Sequence, residues 1–166
     1  MKSRSGPVAS NVTVLQAKQN VSSSRPSWLK RRIPSGRYTV AFDSFHTENF
    51  YKGGNTPKLV LNFHVIDFGE HFETPLQRYY QVAEIGKKPE KGGWFKAKGQ
   101  SSHFIMEYVT CFHYVPKRRD RVPMEIWKSH GYKVKVKDVI ETANQDKIPQ
   151  LLRYSVIEKI IGVTDC

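Results

Sequence analysis

Between residues 33 and 82, hydrophobic and polar positions alternate in a way that predicts three consecutive β-strands. Tyr38, Val40 and Phe42 alternate with Thr39, Ala41 and Asp43, the period of two expected when one strand face is buried. The Gly- and Pro-rich segment 52–57 is long enough to close a hairpin. Leu59, Leu61, Phe63 and Val65 then point one way, and Val60, Asn62, His64 and Ile66 the other. A tight turn at Asp67, Phe68 and Gly69 leads into a third strand over 72–82, which carries Arg78, Tyr79 and Tyr80. Alternation sends one of the two tyrosines inward. Such a meander cannot bury both faces by itself, so the rest of the chain must close it.

Residues 84–99 read as a Gly/Lys-rich loop with Trp94 and Phe95 in its middle. Ser101 and Ser102 offer an N-cap to Phe104, Ile105, Tyr108, Val109 and Phe112, which are spaced as one face of a helix that stops before Pro116. Lys117, Arg118, Arg119 and Arg121 mark a charged loop, and residues 123–127 one short helical turn. Alternation returns from Gly131: Tyr132, Val134 and Val136 face one way, Lys133, Lys135 and Lys137 the other. After a turn at 144–147, Tyr154, Val156, Glu158 and Ile160 alternate with Ser155, Ile157, Lys159 and Ile161 as a last strand. The predicted order is β-β-β-α-β-β, without internal repeats.

Charge changes the picture at the N-terminus. The chain of 166 residues carries +12. Residues 1–32 hold Lys2, Arg4, Lys18, Arg25, Lys30, Arg31 and Arg32 and no acid, hence +7, and the remaining 20 cations against 15 acids leave +5. We therefore expect a basic, disordered N-terminal arm (1–32) followed by one domain (33–166). Such an excess favours a polyanionic partner. No apolar run approaches a membrane span, and no apolar segment follows the first basic residues as a secretory signal requires. The Asn11 and Asn20 glycosylation patterns therefore read as accidental. Two cysteines, Cys111 and Cys166, make neither a disulfide framework nor a metal knuckle, so a reducing, cytoplasmic setting is expected.

Five strands with a helix between the third and fourth is the order of the OB-fold, a small, partly open Greek-key barrel. Over residues 33–163 the chain resembles the OB-type single-stranded-DNA-binding domains of phages and other mobile elements. The resemblance rests on this order, on the opening Ile33-Pro34-Ser35-Gly36-Arg37-Tyr38, on Arg78-Tyr79-Tyr80 and on the closing Tyr154-Ser155-Val156-Ile157. It implies a mainly β, five-stranded OB-like barrel and a non-enzymatic binder acting in replication or recombination, with proteins of those processes as further partners. The chain departs from bacterial single-strand binders, which end in an acidic tail, in ending Ile161-Gly-Val-Thr-Asp-Cys166, a departure that puts partner recruitment by such a tail in doubt.

Catalytic chemistry has little footing. The six histidines show no zinc spacing, Gly53-Gly54 and Gly92-Gly93 lack the ending of a phosphate loop, and no metal or cofactor is expected. Asp43, Glu48, Asp67, Glu70 and Glu73 would have to converge for a metal-dependent nuclease. The stronger pattern is basic residues interleaved with aromatics, because stacked bases and tracked phosphates are how such surfaces hold a single strand. The candidates are Lys30, Arg31 and Arg32 on the arm, Arg78 and Tyr80 on the third strand, Trp94 with Lys87, Lys88, Lys91, Lys96 and Lys98 in the following loop, and the stripe Lys133, Lys135 and Lys137. The stripe equally fits a solvated strand face that resists edge pairing, and Trp94 equally fits a barrel cap. A protein-interaction module with the same aromatics at a protein interface is the alternative from another class.

Overall fold

The computed structural model describes residues 31–50, 56–87, 93–142 and 144–164. Residues 1–30 of the expected arm, residues 51–55 of the expected turn, and Lys88 and Lys91 lie outside the described residues. The strands are β1 (Gly36–Phe50), β2 (Thr56–Val65), β3 (Pro75–Gln81), β4 (Glu84–Ile85), β5 (Phe95–Lys96), β6 (Gly131–Val139) and β7 (Tyr154–Thr164), with helix α1 (His103–Phe112) between β5 and β6. The five long strands form one antiparallel sheet in the order β3-β2-β1-β6-β7, and β4 and β5 pair separately as a short hairpin.

The alternation read from the sequence sets the inner face in β2, β3 and β6, whereas irregular pairing of β7 with β6 brings both Ile157 and Ile160, expected on opposite faces, into the core. Val40 and Phe42 of β1, Leu59, Leu61, Phe63 and Val65 of β2, Leu76 and Tyr80 of β3, Tyr132, Val134 and Val136 of β6, and Ile157 and Ile160 of β7 share one core. A bulge between Phe42 and Ser44 shifts the phase of β1. Phe45 therefore packs on the core, while Asp43 turns outward to His64 at 2.6 Å. Trp127, in a 3-10 turn over Glu125–Ser129, is the fully buried hub. Its ring centroid lies 5.0 Å from Phe112, 5.1 Å from Tyr132 and 6.2 Å from both Phe42 and Tyr108. Burying an indole is worth about 4–6 kcal/mol by area.

Helix α1 forms where its apolar spacing places it. The Ser102 carbonyl accepts from the Met106 N–H at 2.9 Å, but the Ser102 hydroxyl forms no capping bond. His113 ends the helix in the left-handed region at φ 59, its N–H donating to the Val109 carbonyl at 2.8 Å, ahead of Pro116.

Two expectations need correction. The sheet is not closed into a barrel. Edge strands β3 and β7 lie against one another, with Arg78 Nη1 donating across to the Ile157 carbonyl at 3.5 Å. Helix α1 packs on both edges and holds the seam instead. The third strand begins at Pro75 rather than at 72, because Thr74 and Glu73 fold back on Val65 through backbone hydrogen bonds of 3.0 and 2.8 Å. Among the described residues no helix is long and apolar enough to cross a membrane.

Candidate nucleic-acid interface

The sequence-predicted cations and aromatics divide among three places. The first is the seam. Tyr80 is 2% exposed and its hydroxyl donates to Glu107 Oε2 at 2.5 Å. Arg78 donates to both oxygens of the same carboxylate, Nη2 to Oε1 at 2.5 Å and Nε to Oε2 at 3.2 Å, and its guanidinium lies 4.6 Å from the Tyr80 ring centroid. Burial opposes the Arg78 charge, but Tyr80 and Glu107 outweigh it and raise its pKa. Burial, then the Glu107 charge, pushes the Tyr80 phenol well above its ordinary value. These two residues are structural ties between β3 and α1. As base-stacking and phosphate-tracking candidates they are corrected: neither offers a free face.

The second place is the outer face of β1, β6 and β7. Lys133, Lys135 and Lys137 are exposed there as the alternation predicted, and cross-strand register sets Arg37 and Lys159 beside Lys135. Glu158 partly neutralises the row, 2.8 Å from Lys135 and 3.9 Å from Lys137. The Lys135 hydrogen bond holds its carboxyl below the usual range. At the end of this face Arg32 pairs with Asp138 at 2.7 Å, and the Arg31 carbonyl accepts from the Ser155 N–H at 3.2 Å. Ser155 Oγ accepts from the Ile33 N–H at 2.9 Å. Its own proton can serve the Ile33 carbonyl (2.9 Å) or Asp138 (3.0 Å). Residues 31–33 are thus fastened to the sheet, so Arg31 and Arg32 do not belong to a free arm as expected. Lys30 lies outside the described residues.

The third place is the β4–β5 hairpin. Phe95 is buried against Phe104 and Phe45, at 5.5 and 6.1 Å, and Ala97 is fully buried. Strand alternation then turns Trp94 outward, 47% exposed, while its carbonyl accepts from the Gly86 N–H at 2.8 Å. Trp94 is a surface residue on an anchored hairpin, not a core plug. Lys87 and Lys98 are exposed and Lys96 half-buried. Lys96 lies 3.2 Å from Glu84, and Lys98 donates to Gln81 at 3.1 Å.

What sequence reasoning left out is the neighbour of that hairpin. The Ala97 N–H donates to the Arg119 carbonyl at 2.8 Å, which brings the 117–121 loop alongside. Lys117, Arg118, Arg119 and Arg121 are exposed there, with Arg118 bound to Asp120 at 2.6 Å. Gln100, Ile105, Val115, Pro116, Lys117 and Arg119 line a cleft of about 310 Å³ between loop and helix. Tyr114, three residues upstream, is 42% exposed. The charge run was visible in the sequence; its place beside Ala97, just after β5, was not, because a long-range backbone bond creates it. Among the described residues no three His, Cys, Asp or Glu side chains gather as metal ligands. Asp43 instead meets His64 and Asp67 accepts from the Thr39 N–H.

Comparison with protein-family models, with curated proteins and with solved structures finds no match.

Proposed function

We propose that the chain is a non-enzymatic binder of single-stranded nucleic acid, DNA by preference, and that the β4–β5 hairpin with the 117–121 loop is its binding face. The observation that carries this reading is Trp94, 47% exposed just before β5 on a hairpin fixed by Phe95, with the 117–121 loop and its exposed cations meeting the chain just after β5 at Ala97. An exposed aromatic stacks on any base for about 1–3 kcal/mol, and neighbouring Lys and Arg track the phosphates without reading sequence. The outer lysine row has Glu158 among its charges and serves as an auxiliary phosphate track. The arrangement of three long strands, helix and two long strands supports an OB-like relationship, of a kind whose edges are joined through α1 rather than by a ladder. The process follows from the resemblance: replication or recombination of a phage or mobile element.

The test is a fluorescence-polarisation titration of the full chain against labelled single- and double-stranded oligonucleotides across salt. Preference for the single strand, with log affinity falling linearly in log salt, supports the reading. Equal or absent binding to both forms overturns it.

A further inference from the structure

The loop joining β2 to β3 presents two phenyl rings to solvent. Phe68 is 95% and Phe72 43% exposed, and their rings stack within 10° of parallel with centroids 5.5 Å apart. The backbone holds this display in place. The Phe72 N–H donates to the Gly69 carbonyl at 3.2 Å, Glu73 to Val65 at 2.8 Å and Thr74 to His71 at 3.1 Å. Asp67 accepts from the Thr39 N–H at 2.6 Å, and the His71 ring stands edge-on to Tyr38 at 6.2 Å. Glu73 adopts φ 59, a left-handed conformation that non-glycine residues rarely take. A fixed, exposed apolar pair of this kind marks an interaction surface.

Charge identifies the partner. Asp67, Glu70 and Glu73 are exposed around the rings, and residues 66–74 contain no Lys or Arg in a chain of +12. Phosphates are repelled from such a loop, and a purely apolar partner gains nothing from its carboxylates. A guanidinium satisfies both features, because its plane stacks on an aromatic face while its N–H fork binds carboxylate. We propose that this loop docks an arginine-containing cationic segment of a partner protein, with a guanidinium on Phe68 and its donors toward Glu70 or Glu73. The surface is separate from the Trp94 face and does not depend on the nucleic-acid reading.

The test titrates the full chain into a labelled dodecapeptide of alternating Arg and Ser, with Lys-for-Arg and Glu-for-Arg peptides beside it. The Arg peptide should bind, the Lys peptide more weakly, and the Glu peptide not at all. Phe68→Ser should weaken Arg-peptide binding about tenfold or more, as loss of an aromatic anchor does, and should leave the melting temperature and oligonucleotide affinity unchanged. Glu70→Gln with Glu73→Gln should weaken it severalfold and reduce its salt dependence. Absent peptide binding, or equal binding by wild type and Phe68→Ser, overturns the proposal. So does a concentration-dependent self-association that Phe68→Ser abolishes while peptide binding persists, since the occupant is then a second copy.

Discussion

The Arg78 guanidinium on β3 lies 2.5 Å from the Glu107 carboxylate on α1, with side chains only 12% and 7% exposed. Tyr80 donates to the same carboxylate, and Arg78 reaches on to the Ile157 carbonyl of β7. One acid on the helix thus gathers donors from β3, and through Arg78 ties in the strand across the seam. Without its partner each charge would be left in a poorly solvated site.

Removing Glu107 should therefore cost far more than a surface change. Glu107→Ala should destabilise by about 3–5 kcal/mol, because it strands the Arg78 charge. Lys133→Ala, on the outer face, should stay within about 0.5 kcal/mol. Denaturant melts of the two variants check the contrast, and equal midpoints would refute a structural role for the seam.

Alkaline pH should unfold the domain through its buried phenols. Burial raises the pKa of Tyr80, Tyr108 and Tyr132, with Glu107 adding to Tyr80, Tyr114 to Tyr108 and Cys111 to Tyr132. The unfolded chain ionises near pH 10 while the folded chain holds its protons, so the folded state binds more protons and stability falls as pH rises above about 10. Each such phenol takes away about 1.4 kcal/mol per pH unit until its folded pKa is passed. Melting temperatures between pH 8 and 11 should be nearly flat at first and then decline.

The Cys111 thiol should be inert in the folded protein. Burial, and then the Glu107 charge, push its pKa up to about 12, so thiolate is scarce at neutral pH. In a Cys166→Ser background, iodoacetamide at pH 8 should modify the chain only under denaturing conditions. Rapid modification of the native protein would contradict its placement.

The 117–121 loop should contribute affinity without selectivity. Lys117→Ala with Arg119→Ala should weaken all single-stranded sequences alike and flatten the salt slope by about 0.7 per lost phosphate contact. An unchanged slope would show that these cations do not meet phosphate.

Much of the fold was legible because alternation survives in the strands with one buried face. Leu59, Leu61 and Phe63, or Tyr132, Val134 and Val136, announce both strand and core. The bulge at Asp43 was not legible, since nothing local distinguishes an extra residue from a continuing strand. Nor was the fate of Arg78 and Tyr80. Their basic and aromatic character suits a ligand surface equally well, and only Glu107, 29 and 27 residues away, decides for the interior. Trp94 was readable as a candidate but not as an exposed one, because its orientation depends on Phe95 finding Phe104 and Phe45. The loop at 117–121 meets the chain just after β5 through the backbone bond from Ala97 to Arg119, which no sequence spacing encodes.

The central claim rests on Trp94, and its removal is the most direct test. Polarisation titrations of wild type and Trp94→Ala against a labelled single-stranded oligonucleotide should be run at low and at high salt. Stacking predicts a loss of about 1–3 kcal/mol that is nearly the same at both salts, with an unchanged melting temperature because the ring is on the surface. Lys98→Ala should show a smaller loss that shrinks as salt screens the charge. Equal affinity of Trp94→Ala and wild type at both salts would contradict the proposed binding face.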